Sequence, residues 1–294
     1  MNFKDVLEKA SSEIVSLKGQ TLDVLDVKRP HSLAYAKHLA KVISKISPLI
    51  GNMIESSIIE ILNQHDWEGL GSWVRQDPGF PDALFQGTLD PKPGIEIKTW
   101  FPLATEITAR FKDSIMHFEN DQTNVALVAW LPEFLIHGKP KIIDVWVGSA
   151  KSLAIARDKH YHRPPDYLVF EPEDTSDRTA NLQQTNTNGY KFQGNATQFK
   201  EAKKEVEAWG RNGKIFSPSH KYQQKTKKLL GKFPYRLDTN FAKIDRIDHP
   251  GLEEFKTRVL DLAINGKKIN LWAKSLVAED DISDQIIKEV MELR

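Results

Sequence analysis

The sequence predicts an α/β fold, a group of strands with helices interposed and a mainly helical C-terminal part. Three observations carry that reading. Residues 67–170 hold short apolar runs separated by turn residues (ALF, GIEIKTW, NVALVAWL, KIIDVWVG), the pattern of strands. Segments around them carry apolar residues at three- and four-residue spacing, the pattern of amphipathic helices. Composition is that of an ordinary globular chain: 294 residues, 40% apolar and 28% charged, with 16 Gly and 15 Pro dispersed rather than clustered. The absence of cysteine excludes disulfide scaffolds, zinc ribbons, iron–sulfur clusters and thiol nucleophiles, so any metal must be held by oxygen or histidine.

The N-terminal MNFKDVLEKASSE mixes charges of both signs and lacks the apolar centre of a signal peptide. No stretch reaches the length of a membrane span, so a cytoplasmic protein without a membrane partner is expected. Residues 32–46 and 50–64 read as two consecutive helices separated at Pro48. In the second, Met53, Ile54, Ile58, Ile61 and Leu62 make the inward stripe, and Glu55 at its edge is a carboxylate carried towards the core. Residues 105–117 and 152–160 read as helices between and after the strands. Residues 172–195 are polar and amide-rich, which suits a functional loop or a small accessory hairpin. Further on, 252–264 and 282–293 are the clearest helical segments. The expected division is residues 1–171, N-terminal helices and strand core, and 172–294, packed on it as one domain.

The net charge of +1 conceals an uneven distribution. Residues 200–246 carry thirteen Lys and Arg against five Asp and Glu, leaving 28 basic and 35 acidic residues elsewhere. Trp209, Phe216, Tyr222, Gln223, Gln224, Phe233 and Tyr235 are interleaved with those cations. Such a segment suits a surface that grips phosphates and places polar groups near bases, with Lys221, Lys225, Lys227 and Lys228 as candidate contacts; a solvated helix face has the same composition.

The stretch FPDALFQGTLDPKPGIEIKTW, residues 80–100, bears the chemistry. Turn residues at its centre join two strands, residues 83–86 and 95–100, into an antiparallel pair. With Gln86 set opposite Gly94, Asp82 falls opposite Lys98. Alternation along the second strand puts Ile95 and Ile97 on one face and Glu96 and Lys98 on the other. Two acids and a lysine then converge, a cluster suited to a hard divalent cation such as Mg²⁺, with Asp82, Glu96 and the carbonyl of Ile97 as oxygen donors. Beside such an ion Lys98 can orient or help deprotonate water and offset charge on a phosphate, which amounts to metal-assisted phosphodiester hydrolysis. Asp77, before a proline and turn positions, is a weaker rival for Asp82.

Asp82 followed after thirteen residues by EIK, with an apolar residue before each acid, resembles the PD-(D/E)xK nuclease motif. The helix GNMIESSIIEIL is similar to the one that brings an extra carboxylate to that site. The run IIDVWVGSAKSLAIARDKHYHRPPDYLVFEP has the character of type II restriction endonucleases of this superfamily, so the resemblance spans about residues 50–171. It implies a central mixed β-sheet flanked by helices, with Asp82, Glu96 and Glu55 as metal ligands and Lys98 as the catalytic lysine. It also implies one or two Mg²⁺ per site, cleavage of double-stranded DNA at a short, palindromic sequence by a homodimer, and a cognate DNA methyltransferase as a genetic partner.

Other residues leave alternatives open. Glu106, Arg110 and Lys112 either approach the scissile phosphate or form helix-surface pairs. In RDKHYHRPPDY, residues Arg157, His160 and Arg163 suit a loop holding phosphates, or plain packing; His160 and His162 resemble a metal pair, though zinc is disfavoured beside a double proline. Asp144 reads as a buried strand acid with a structural partner. Among the amides of residues 181–195, Asn186, Asn188 and the neighbouring Lys191 either read base edges or form a polar loop. Neither GxxxxGK nor GxSxG occurs, which disfavours nucleotide-driven motors and serine hydrolases. The competing functions are a repair or structure-selective nuclease and a non-catalytic DNA-binding protein.

Overall fold

The computed structural model describes the chain apart from residues 77–78, 104–106, 108–114, 119, 171–187, 239–242 and 293–294. It is an α/β protein with a five-stranded mixed sheet flanked by helices and a helical C-terminal part. The first helix, α1 (Phe3–Ser16), starts at Asn2, whose side chain accepts from Lys4 and Asp5 N–H groups while Asp5 reaches back to the cap. A single helix α2 (Leu33–Asn63) follows, with Pro48 inside it, which corrects the two expected helices. Its buried stripe of Ile43, Ile50, Ile54 and Ile58 keeps phase across the proline, so burial outweighs the missing backbone donor.

Strands β1 (Gly71–Arg75), β2 (Ala83–Gly87), β3 (Gly94–Trp100), β4 (Thr123–Pro132) and β5 (Pro140–Ser149) lie in sheet order 1-2-3-4-5. Only β3 and β4 run parallel; the other neighbours are antiparallel. From Val125 to Leu131 every side chain of β4 is fully buried, as expected of a central strand covered on both faces. On one face Trp73 stands opposite Phe85, their rings edge-on at 5.4 Å, and both contact Trp67 edge-on at 5.7–5.9 Å. Against this region packs α2, whose end is stitched to β1 by Asn63: its side chain donates to the Trp73 carbonyl and accepts from the Trp73 N–H, each at 2.8 Å.

Helix α3 (Ala150–Tyr161) leaves β5 directly, capped by Ser149. Residues 105–117, expected as a helix, fall mostly outside the described residues, and only a 3-10 turn at Ile115–Phe118 is described. Next comes a three-stranded antiparallel sheet of β6 (Tyr167–Phe170), β7 (Asn188–Phe192) and β8 (Tyr235–Asp238). It carries helices α4 (Ala196–Glu207) and α5 (His220–Lys232), and buries Leu168, Ala202, Val206, Leu229 and Phe233 in a core of its own. Of residues 172–195, expected as a loop or small hairpin, 172–187 lie outside the described residues; 188–192 form β7, and Asn195 is spent on capping α4.

Two short strands, β9 (Ala263–Ile264) and β10 (Lys267–Lys268), sit among α6 (Pro250–Asp261), α7 (Ile269–Val277) and α8 (Asp281–Glu292). These helices return to the main core, where Leu252, Phe255, Trp272 and Ile287 are buried together with residues of the N-terminal half. Asp144 on β5, 2% exposed, binds Lys18 at 2.8 Å and Arg258 of α6 at 3.1 Å, the structural partners expected of it. No described helix is long and apolar enough to cross a membrane.

Candidate active site

The hairpin of β2 and β3 builds the site. Its register sets Ala83 opposite Ile95 and Leu84 opposite Gly94, two residues from the expected pairing, so Asp82 lines up with Glu96 rather than Lys98. Because side chains alternate with period two, that shift leaves Asp82, Glu96 and Lys98 on a common face. The β2 ladder ends at Ala83, and the Asp82 side chain takes over: its Oδ2 accepts from the Ile97 N–H at 2.7 Å. The Asp82 N–H donates to Glu96 Oε2 at 3.2 Å. Close backbone approach permits this. A Cβ on Gly94 would stand 2.4 Å from Pro81 Cγ, so only glycine lets the residue before Asp82 lie against β3.

Between the two carboxylates stands the Lys98 ammonium, 2.5 Å from Glu96 Oε1 and 3.2 Å from Asp82 Oδ2. Its side chain is a quarter exposed, so the cluster is reachable from solvent on one side while Glu96 is nearly enclosed. Burial pushes the Glu96 carboxyl up to about 7, with Lys98 opposing and the Asp82 charge adding to the rise. For Lys98 burial opposes the charge, but Glu96 and Asp82 outweigh it and hold the ammonium above its ordinary range. Negative charge is in excess here, in a face that Lys98 only partly neutralises.

Glu55 reaches the edge of this cluster. Burial raises its carboxyl, a hydrogen bond from Arg75 opposes the rise, and the charges of Asp82 and Lys98 are both felt. Its Oε1 accepts from Arg75 Nε at 2.7 Å, a partner the sequence reading missed because β1 was not recognised as a strand. Alternation in GSWVR would have put Arg75 on the face of Trp73, towards α2. Among the described residues no three His, Asp or Glu converge as one ligating group. The donor set still fits a hard divalent cation, since Mg²⁺ binds through one or two carboxylates and keeps waters.

The remaining expected contacts divide. Arg157 is fully buried and forms an ion pair with Asp158 at 2.7 Å, which corrects its assignment as a DNA contact: the guanidinium does not reach the surface. For His160 and His162, read as a phosphate-holding loop or plain packing rather than a zinc site, the described contacts are packing contacts. His162 is buried, and both ring nitrogens are engaged, Nδ1 by the Val169 N–H at 3.1 Å and Nε2 by Tyr222 Oη at 2.7 Å. His160 packs edge-on against Tyr161. Arg163 is exposed, with its backbone bridged to Tyr167. Asn188 and Lys191 lie on β7, Lys191 exposed. On α5, Lys221, Lys227 and Lys228 are exposed and Lys225 half-buried, opposite the buried Tyr222, Thr226 and Leu229. Asp77, Glu106, Arg110, Lys112 and Asn186 lie outside the described residues. The chain matches no family model, no curated protein and no solved structure.

Proposed function

We propose that the protein is a Mg²⁺-dependent endodeoxyribonuclease with a restriction-endonuclease-like core of the PD-(D/E)xK type, cutting double-stranded DNA at a short sequence. One observation carries this reading: Asp82, Glu96 and Lys98 share one face at the end of a hairpin, with the ammonium within 3.2 Å of both carboxylates and its side chain a quarter exposed. The raised Glu96 carboxyl beside this pair agrees with the tendency of perturbed carboxyls to gather at functional sites.

Asp82, Glu96 and the Ile97 carbonyl would hold the metal, and Glu55 would join them once released from Arg75. When bound, Mg²⁺ supplies Lewis-acid polarisation of the scissile phosphate and charge for the leaving oxygen. Lys98, protonated at neutral pH, donates to the attacking water, orients its oxygen and offsets charge on the phosphate oxygens. Hydrolysis joins the water oxygen to phosphorus and breaks the bond to a sugar oxygen, which leaves with a proton. Asp82 holds the Ile97 N–H and so fixes the backbone between Glu96 and Lys98. The basic α5 supplies sequence-independent phosphate contacts, and a homodimer would match a palindromic site.

Digestion of unmethylated phage DNA in Mg²⁺ tests the reading. Discrete fragments are expected. Nicks or smears would favour a structure-selective nuclease, and metal-independent binding without cleavage would favour a DNA-binding protein.

A further inference from the structure

A cleft of about 440 Å³ opens between residues 209–219 and the first turns of α5. Trp209, Ile215, Phe216 and Tyr222 form its apolar walls, Lys221 and Lys225 its cationic edge, and no carboxylate lines it. Ile215 is 62% exposed, and Trp209 and Phe216 are half-buried, so apolar surface is open to solvent here. A buried relay sets the aromatic walls. Because His162 Nδ1 accepts from the Val169 N–H, its proton lies on Nε2, which donates to Tyr222 Oη; that hydroxyl donates in turn to the Gly213 carbonyl at 2.7 Å. The His162 ring also meets Phe216 edge-on at 5.4 Å, and Trp209 meets Tyr222 at 5.8 Å. The walls are therefore positioned before any ligand arrives.

Flat aromatic walls beside two ammonium groups suit a ligand with a planar ring and an anion a few bonds away. The volume is that of a small-ligand site. The segment around the cleft is the strongly basic one, so charge favours a polyanion. Bases inside a duplex are stacked on one another and cannot enter, whereas an unpaired base can. We infer that this cleft binds one unpaired nucleotide of a nucleic-acid strand, its base against Trp209, Phe216 and Tyr222 and its phosphate at Lys221 and Lys225. The inference rests on the proposed function for its ligand class, and not on the metal chemistry.

Binding of a labelled eight-residue oligothymidylate by the full chain in EDTA tests it, against a strand of equal length made of abasic residues. The intact protein should prefer the base-bearing strand by about tenfold or more, given typical base–aromatic stacking. Phe216→Ala and Trp209→Leu should each remove most of that preference and leave abasic binding unchanged, while Lys225→Gln should weaken both strands alike. Equal binding of the two strands by the unaltered protein would overturn the inference and leave a general polyanion surface. So would full preference in both aromatic variants, with their folding checked by near-UV circular dichroism. DNA cleavage without base preference would remove this site alone; base preference without cleavage would remove only the nuclease reading.

Discussion

Glu96→Gln should stabilise the metal-free protein at alkaline pH and abolish most of its gain from Mg²⁺. The Glu96 carboxyl is shifted from 4.5 to about 7, chiefly by burial. Its folded pKa lies above its unfolded one, so the stability owed to the neutral form is complete below pH 4.5 and is lost as pH rises to about 7. At about 1.4 kcal/mol per unit, the ionised group weakens the wild-type fold by roughly 3 kcal/mol at pH 8.5 and by less than about 1 kcal/mol at pH 5. Glutamine copies the neutral form at every pH. At roughly 2 °C per kcal/mol for a chain of this size, the variant should melt about 6 °C above wild type at pH 8.5 in EDTA, and close to it at pH 5. Mg²⁺ at about a hundredfold its Kd adds about 2.7 kcal/mol to wild type, and the variant, with one carboxylate gone, should gain little. Calorimetric melts at the two pH values, with EDTA or Mg²⁺, read all four numbers. If the variant melts several degrees below wild type at pH 8.5 in EDTA, the Glu96–Lys98 pair is structural, since breaking a buried pair that holds a fold costs about 3–5 kcal/mol.

Gly94→Ala should displace Pro81 and with it Asp82, lowering stability by about 1–3 kcal/mol and cleavage far more; urea unfolding and digestion rates give both. Arg75→Gln should free Glu55 and remove a nearby positive charge, tightening Mg²⁺ about fivefold by titration calorimetry, with no change arguing that Glu55 is not a ligand. Burial depresses His162 from 6.5 to about 4, so the fold should lose up to about 3 kcal/mol as pH falls between those values. The His162→Phe variant lacks this contribution, so the stability difference between it and wild type should narrow by up to about 3 kcal/mol as pH falls over that range, from a deficit at pH 7 where the Val169 N–H has lost its acceptor.

The residues at the chemical centre were legible because strand alternation is a local rule: once GIEIKTW is a strand, Glu96 and Lys98 must share a face. The register was less legible, since moving a strand by two residues changes no face and so leaves no trace in the pattern. Pro48 misled because a proline's local effect is visible in sequence, whereas the continuous stripe that overrides it is felt only against the sheet. Arg75 and Glu55 meet through the packing of α2 over β1, and Arg157 is buried together with its ion-pair partner Asp158, and spacing discloses neither the contact nor the burial. The accessory strands β6 to β8 are only four or five residues long, β7 (NGYKF) and β8 (YRLD) are close to loop composition, and their core forms only when α4 and α5 cover them.

The most direct test is the rate at which supercoiled, unmethylated plasmid is cut by wild-type protein in Mg²⁺, beside the same protein in EDTA and a Lys98→Ala protein of verified folding. Metal-dependent cutting at fixed positions, slowed at least about a hundredfold without Lys98, is the expected result. Cutting that persists unchanged in the Lys98→Ala protein, or intact plasmid with folded wild type on several templates, would contradict it.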